Sequence, residues 1–340
     1  MSHVEIARSG RVGRITLNRP AALNALTHAM VIEIHAALRV WMDEDEIAAV
    51  VVNSVGPRAF CAGGDIVMLY ETGRTNPSIG RQFWRDEYRF NAAIAGYGKP
   101  YIAIIDGIVM GGGVGISAHG SHRIVSERSV VAMPEVTIGF LPDVGGTRLL
   151  SRSPGRIGEY LAATGARMSA ADAIFAGFAD YFVPSERMSE LLSALETEGD
   201  PMVIERFAEP PPPSDLESHS TEIDAIFDAL DGAAIMARLS GSTFAEKAAA
   251  ATARNSPFSA CCAIAAVRQA RLLSSIEDCL TLEYRFAHRA LDGHDFYEGI
   301  RAAVIDKDRA PKWLPPNFSS VDPFAVAAAF APLGADEWTP

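Results

Sequence analysis

The sequence predicts an α/β fold, on the evidence of three features. Over residues 1–184, apolar runs typical of buried parallel strands alternate with segments of helical period. Two of these strands run directly into glycine-rich turns. Residues 185–340 are instead dominated by helical spacing. We therefore expect an α/β core over 1–184 and a helical C-terminal region over 185–340.

The first elements follow from local patterns. Residues 4–17 alternate apolar and polar side chains around Ser9-Gly10-Arg11, which predicts a β-hairpin. From Thr27 the apolar residues recur with helical period, and residues 47–52 form a nearly continuous apolar run. We expect a helix followed by a buried parallel strand.

The rest of the predicted core repeats this alternation. In chain order we expect a helix over 83–95, a strand over 100–105, a turn into a helix over 107–118, a strand over 130–132, and helices over 155–165 and 169–177. Parallel strands joined by helices require right-handed crossovers.

The C-terminal region begins differently. Residues 208–215 include four consecutive prolines, which fit neither a helix nor a central strand, so we predict a loop there. From Ser220 to about Ala303 the chain is rich in Ala, Leu and Glu with helical spacing.

Composition excludes several classes of partner. A net charge of -12 and a pI near 5.2 disfavour nucleic acid, and no run of eighteen apolar residues predicts a membrane span. The four cysteines show no C-x-x-C spacing, which indicates neither a zinc site nor a disulfide framework. The first residues show neither signal nor transit character. We expect a cytoplasmic protein.

Two glycine turns are candidates for substrate binding. Residues 59–66 (AFCAGGDI) and 110–117 (MGGGVGIS) each follow a predicted strand and open a helix. One such turn alone is usually only a tight turn. Two of them on neighbouring parallel strands can aim two backbone amides at one oxygen, which is the geometry of an oxyanion hole. A dinucleotide-binding fingerprint is absent from the first strand-helix turn.

A third stretch, residues 133–146 (MPEVTIGFLPDVGG), carries two carboxylates among apolar residues, prolines and glycines. Burial would raise the pKa of Glu135 and Asp143 and suit them to act as a base or nucleophile. The competing interpretation is that both are solvated loop acids.

In this order and spacing, the three stretches resemble the crotonase (enoyl-CoA hydratase/isomerase) superfamily, whose motifs are A-F-x-A-G-x-D, G-G-G and P-E-x-x-I-G-x-x-P-x-x-G-G. The resemblance implies a crotonase-like spiral of β-β-α units acting on acyl-CoA, with coenzyme A entering as part of the substrate and neither a separate cofactor nor a metal. It also implies that the amides of Gly64 and Gly112 hold the thioester oxygen, and that Glu135 is the main catalytic acid or base.

Within the superfamily, the chain departs from the hydratases. Gly115 stands where they place the first of two glutamates. The sequence is more similar to 3-hydroxyisobutyryl-CoA hydrolases, whose second acid corresponds to Asp143, and residues 282–285 (LEYR) and 293–313 resemble their C-terminal part. This implies thioester hydrolysis of 3-hydroxyisobutyryl-CoA, or of a related short β-hydroxyacyl-CoA, in valine breakdown. Residues 146–148 (GTR) are closer to hydratases.

The resemblance also assigns substrate contacts. The acyl group is expected to meet Glu87, Gly112, Glu135 and Asp143. Coenzyme A is expected to meet Arg19, Arg58, Ala62, Gly64, Asp65 and Ile66, with the two arginines facing phosphate. Glu87 could equally be a solvated helix acid, and the arginines ordinary surface charges.

Other interpretations stay open at this stage. Glu135 alone would suffice for an enoyl-CoA isomerase, and a non-catalytic or RNA-binding homologue is a different class. Glu135 could activate water or attack the thioester itself. Cys61 is interpreted as a packing residue, and the histidines at 119, 122 and 294 as structural. The resemblance leaves a homo-oligomer open.

Overall fold

The structure of the chain is a computed structural model, and it describes residues 3–340. The strands of these residues are β1 (Val4–Ser9), β2 (Val12–Leu17), β3 (Ala49–Ser54), β4 (Ala59–Cys61), β5 (Tyr101–Ile105), β6 (Ile108–Met110), β7 (His122–Val125), β8 (Val130–Ala132) and β9 (Tyr181–Phe182).

The helices of the first half are α1 (His28–Met42), α2 (Ile66–Gly73), α3 (Pro77–Ala95), α4 (Gly112–Ser117), α5 (Gly146–Arg152), α6 (Ile157–Thr164) and α7 (Ala170–Phe175). They are followed by α8 (Met188–Glu198), α9 (Asp215–Ser218), α10 (Ser220–Phe227), α11 (Gly232–Arg238), α12 (Thr243–Thr252), α13 (Pro257–Ala270), α14 (Ile276–Ala290), α15 (Asp295–Ile300) and α16 (Pro323–Ala328). A short 3-10 helix spans Glu135–Ile138.

The larger sheet has the strand order β1-β2-β3-β5-β7-β9. β1 and β2 pair antiparallel as the predicted hairpin, and the other neighbours pair parallel. Val50, Val51 and Val52 of β3 are fully buried, which explains why this strand reads as one continuous apolar run. The α/β prediction is confirmed.

A second sheet, with the order β4-β6-β8, is built from strands that closely follow those of the first. Along the chain, β3 and β4 precede α2, and β5 and β6 precede α4. These β-β-α units are the repeat that the resemblance implied. The strands β4 and β6 are only three residues long, so periodicity could not separate them from the turns around them, whereas β8 matches the strand expected over 130–132.

Helix starts agree with the capping signals in the sequence. The Thr27 hydroxyl accepts a hydrogen bond from the amide of Met30 at the start of α1, and Ser169 forms a capping box with Asp172 at α7. The predicted C-terminal helices correspond to α10–α15, and residues 210–214 in the proline-rich loop belong to no helix or strand.

The chain divides into two compact units, each discontinuous in sequence. Unit 1 comprises Met1–Gly64, as far as it is described, with Arg89–Val131 and Met168–Asp215. Unit 2 comprises Asp65–Tyr88, Ala132–Arg167 and Leu216–Pro340. The division at residue 184 expected from composition stays a prediction, and the structural units follow other boundaries.

The core of unit 1 lies along one face of the larger sheet. Apolar side chains of β2, β3, β5 and β7 pack with those of α8 and the segment after it, and the buried set is Val12, Ala49, Val51, Ile102, Ile104, Ile124, Val183, Met188, Leu191, Leu195, Val203, Ile204 and Phe207. Because most of these side chains are fully buried, their contacts stabilise β3 and β5, the strands that precede β4 and β6 along the chain.

Unit 2 is built on helices. α13 packs against α5 and α6, and an aromatic cluster joins Phe140 to Trp84, Phe286 and Phe296 at ring-centroid distances of 5.1, 5.6 and 5.2 Å. Phe140 lies in the loop between Glu135 and Asp143, so its packing anchors the segment that carries both acids. None of the helices within residues 3–340 is both long and apolar enough to cross a membrane.

Candidate active site

The two predicted glycine turns lie against each other in unit 1. Gly63 has a φ of +110°, and a Cβ placed on it would lie 3.4 Å from the carbonyl oxygen of Met110 and 3.9 Å from the amide nitrogen of Gly112. Backbone hydrogen bonds from the Leu26 amide to the Gly63 carbonyl (2.8 Å) and from the Ala62 amide to the Leu23 carbonyl (3.0 Å) fix the first turn.

The second turn requires glycine for a steric reason. A Cβ on Gly113 would lie 2.2 Å from the carbonyl oxygen of Cys61, a distance that no side chain can occupy. Gly111, the N-cap of α4, has a φ of +51°. The turns that carry Gly64 and Gly112 are therefore close together. The sequence predicted this, because both turns follow strands expected to be neighbours in one sheet.

Unit 2 contains a cluster of four acids, Glu87, Glu135, Asp143 and Glu283, which we call the acid cluster. Their exposed fractions are 3%, 7%, 5% and 0%. The interpretation of the first three as solvated acids is therefore wrong. Buried carboxyl groups are rare without a partner or a function.

Asp143 is held by a residue that the sequence analysis missed. The hydroxyl of Tyr88, itself fully buried, donates a hydrogen bond to Oδ2 of Asp143 at 2.8 Å. Tyr88 follows Glu87 directly on α3, so the same helical turn supplies an acid and a hydrogen-bond donor to the cluster. Its position next to a candidate acid was the available signal.

Glu135 begins the 3-10 helix Glu135–Ile138, and its carbonyl accepts a hydrogen bond from the Phe140 amide at 3.0 Å. The helix ends at Gly139, whose φ is +73° and where a Cβ would lie 2.1 Å from the carbonyl oxygen of Asp295. Only glycine permits this approach between the loop and the start of α15.

Glu283 is the second residue whose role was missed. It lies within the LEYR stretch, and its carboxylate accepts hydrogen bonds from the amides of Gly145 (2.8 Å) and Thr147 (2.9 Å) and from the Thr147 hydroxyl. Its position on the buried face of α14, four residues after Cys279 and three after Leu280, is visible in the sequence.

Burial dominates the electrostatics of the acid cluster. It raises the pKa of Glu87 and of Glu135 well above their usual range, and the neighbouring charge of Asp143 raises both further. Burial raises the pKa of Asp143 to about 7, although the hydrogen bond from Tyr88 opposes this. Groups with such pKa values can exchange protons near neutral pH.

Two carboxyl oxygens of this cluster are buried without a hydrogen-bond partner among residues 3–340: Oε1 of Glu87 and Oε2 of Glu135. A buried unsatisfied carboxyl oxygen is unfavourable in a purely structural cluster. These two atoms are therefore available to a ligand.

The residues expected to contact coenzyme A have mixed surroundings. Arg19 donates to the Ala25 carbonyl at 3.2 Å, and the exposed Arg58 donates to the Pro20 carbonyl at 3.3 Å. Asp65 caps α2 by accepting from the Met68 amide. The buried Cys61 donates to the Gly63 carbonyl at 3.6 Å, in keeping with a packing role.

Gly115 lies within α4 and is buried. The position that carries a glutamate in hydratases, according to the resemblance, thus adds no carboxyl group. His294 bonds through Nε2 to the carbonyl of Lys312. This contact ties the segment before α15 to the chain beyond it.

Comparisons with known proteins agree with this geometry. A sequence model of the family described as enoyl-CoA hydratase/isomerase matches residues 12–330. The 3-hydroxyisobutyryl-CoA hydrolase, mitochondrial, of Gallus gallus is 38% identical over 97% of this chain and 89% of its own length. The human protein of the same name is also 38% identical, over 98% of this chain and 90% of its own length.

Solved structures are similar over the whole chain but carry other names. A carnitinyl-CoA dehydratase from Mycobacterium thermoresistibile is 43% identical with a TM-score of 0.96, covering 100% of this chain and 99% of that one. An enoyl-CoA hydratase from Rhodobacter sphaeroides 2.4.1 is 48% identical with a TM-score of 0.94, covering 99% and 100%. The fold is thus shared by proteins named for different reactions.

Proposed function

Because this chain belongs to the enoyl-CoA hydratase/isomerase family, we propose that it hydrolyses the thioester of 3-hydroxyisobutyryl-CoA, or of a related short β-hydroxyacyl-CoA, to the free acid and coenzyme A. One observation carries the proposal: buried Glu135 is accompanied by Asp143, which Tyr88 holds, while position 115 is glycine. The hydrolases named above support the substrate.

In this reaction, the amides of Gly64 and Gly112 stabilise the oxygen of the thioester. Negative charge develops on that oxygen when the carbonyl is attacked, and one preorganised donor contributes about 3 kcal/mol in typical enzymes. The contact between the two glycine turns supports this role, because it fixes the amides before substrate binds.

Glu135 either removes a proton from the attacking water or attacks the thioester carbon itself. In the first route, the proton moves from water to the carboxylate and then to the leaving thiolate. In the second, the carboxylate displaces the thiolate from the thioester carbon to form a mixed anhydride, and water then cleaves the anhydride to the free acid and the Glu135 carboxylate, with a proton from that water passing to the thiolate. Hydrolysis in H₂¹⁸O separates them, because only the second route can place ¹⁸O in the Glu135 carboxyl group.

Asp143 reads the 3-hydroxyl of the substrate. The Tyr88 hydroxyl donates to Oδ2, so Oδ1 can accept a hydrogen bond from the 3-hydroxyl of the acyl group. Glu87, whose raised pKa favours the protonated form, would donate to an oxygen of the same group. A buried acid that pairs with a substrate hydroxyl discriminates against acyl groups without one.

Hydration or isomerisation of an enoyl-CoA is the second candidate, because the solved relatives carry hydratase and dehydratase names. Both reactions need carboxyl groups that move protons at carbon atoms, and Glu135 could supply one. Gly115 speaks against hydration by the usual pair of glutamates.

The first experiment compares two substrates with purified protein. Thiol release is recorded with 3-hydroxyisobutyryl-CoA, and loss of the enoyl absorbance with crotonyl-CoA. Thiol release from the first, abolished in Glu135→Ala, supports the hydrolase. Enoyl loss without thiol release would replace it with the second candidate.

Substrate preference tests the role of Asp143. The parent is expected to prefer 3-hydroxyisobutyryl-CoA over isobutyryl-CoA, and Asp143→Asn to lose most of that preference. An Asp143→Asn protein that discriminated as well as the parent would contradict the assignment.

The physiological setting is part of the proposal. We place the reaction in valine breakdown and the protein in the cytoplasm, a reducing compartment that suits four cysteines without the spacing of a disulfide framework. The vertebrate relatives are named mitochondrial, so cell fractionation is the deciding measurement. Sedimentation of the purified protein would determine whether it forms a homo-oligomer.

A further inference from the structure

The turn that carries Asp143 has an unusual backbone. Val144 has a φ of +53° and Gly145 a φ of +77°. A β-branched residue is disfavoured in the left-handed region, so this conformation persists only where surrounding contacts enforce it. The strained residue follows Asp143 directly, so the contacts that stabilise its conformation also affect a candidate catalytic acid.

Glu283 contacts this turn from a distant helix, in addition to the local hydrogen bond from the Gly146 amide to the Asp143 carbonyl at 2.7 Å. Its Oε2 accepts from the Gly145 amide, and its Oε1 accepts from both the amide and the hydroxyl of Thr147. The two sides of the carboxylate thus bind the turn directly after Val144. The residues joined lie 136 and 138 positions apart in sequence, so this contact is tertiary rather than local.

In the described part of the chain, Glu283 is surrounded by hydrogen-bond donors and not by positively charged side chains. Its side chain is 0% exposed, and none of the ion pairs found within residues 3–340 includes it. Three donated hydrogen bonds stabilise its ionised form, while burial raises the pKa of the carboxyl to about 8.

We propose that Glu283 is a positioning residue for the hydrolysis: its carboxylate holds the strained turn at Val144 and thereby orients Asp143 toward the substrate hydroxyl. This inference rests on the proposed function. It gives the LEYR stretch a role in the reaction, although Glu283 itself need not touch the substrate.

The charge of Glu283 also acts on its neighbours. The groups that face it are Asp143 in the turn, Tyr88 on α3, Glu135 at the 3-10 helix and Cys279 on α14. Its negative charge raises the pKa of Glu135. Because the pKa of Glu283 itself is about 8, this charge is largely absent at lower pH, and neutralising Glu283 should leave the acidic limb of the pH–rate profile in place.

The test compares Glu283→Gln with Glu277→Gln, which removes a partly buried acid from the first turn of the same helix. Glutamine retains the shape but presents a donor to the turn. We expect kcat for 3-hydroxyisobutyryl-CoA to fall about thirtyfold, KM to change less than threefold, and the acidic midpoint to stay in place. Glu277→Gln should match the parent in all three.

Thr147→Val serves as a second variant if Glu283→Gln folds poorly. It removes the hydroxyl donor and keeps the amide donors, so we expect a smaller fall in kcat, about threefold to fivefold, in the same direction. A thermal unfolding curve at pH 7 establishes that each variant is folded during the assay.

Hydrogen–deuterium exchange gives a readout that does not depend on activity. The amides of Gly145 and Thr147 should exchange slowly in the parent and faster in Glu283→Gln. Unchanged exchange, or a kcat equal to that of the parent, would overturn the positioning role. A parent that releases no thiol would instead overturn the proposed function, while the exchange rates would still decide whether Glu283 holds the turn.

Discussion

The glycine turns of unit 1 and the acid cluster of unit 2 differ in what they are made of. The turns present backbone amides, and their geometry depends on the absence of side chains at Gly63 and Gly113. The acid cluster presents side chains that come from three separate segments: α3, residues 133–146 and α14. The comparison shows that local backbone geometry can be encoded within a few residues, whereas a buried electrostatic site requires distant parts of the chain.

The largest effect is expected from the acid cluster. Glu135→Gln removes the group that handles the proton or attacks the thioester, and kcat should fall about a thousandfold. Thiol release under single-turnover conditions is the measurement. Because glutamine retains the size of the side chain, the unfolding temperature should stay within a few degrees of the parent. A fall of less than tenfold would assign the chemistry elsewhere.

The glycine turns should respond to an added methyl group. In Gly113→Ala the new Cβ meets the Cys61 carbonyl, which displaces the turn and its Gly112 amide, and we expect kcat to fall about a hundredfold. The matched control is Gly96→Ala, where the Cβ would lie 3.6 Å from the Ala92 carbonyl, an ordinary contact. Equal activities of the two variants would show that the second turn does not serve the reaction.

Tyr88→Phe sharpens the comparison within the acid cluster. It removes the hydrogen bond to Asp143, and a fall in kcat of about tenfold is expected. That hydrogen bond lowers the pKa of Asp143, so without it the pKa rises further above about 7, and the acidic midpoint of activity moves to higher pH. Tyr97→Phe, whose hydroxyl bonds to the Leu38 carbonyl, is the control. A midpoint that stays in place would contradict the role of Tyr88.

The smallest effect is expected at the surface of unit 1. Arg58 is exposed, so Arg58→Ala should raise KM about threefold at low salt, leave kcat unchanged, and lose its effect at high salt. Arg39→Ala removes an equally exposed charge from α1. If both variants raise KM by the same factor, Arg58 does not bind the coenzyme A phosphates specifically.

The features that the sequence could predict are those encoded locally, as in the glycine turns. The hairpin, the parallel strands, the capped helices and both glycine turns were predictable, because each depends on neighbouring residues or on a period. Glu135 and Asp143 were recognisable as candidates from their apolar setting, and the structure shows that they are buried.

The sequence carried a local signal for Tyr88 and for Glu283, but it could not predict the residues that they contact in the site. Tyr88 meets Asp143 across 55 residues, and Glu283 meets Gly145 across 138. Such pairings depend on how helices pack, which no local pattern encodes. The strands β4 and β6 were missed because three residues are too few to show a period.

The discontinuity of the units has a consequence for synthesis on the ribosome. Residues 65–88 and 132–167 leave the ribosome early, yet they belong to a unit whose largest part, residues 216–340, is made last. Nascent chains usually fold unit by unit from the N-terminus. Here the acids at 135 and 143 must wait for α14 before Glu283 can fix their loop. A chain that stalls before residue 283 would thus expose an unfinished site to chaperones and proteases.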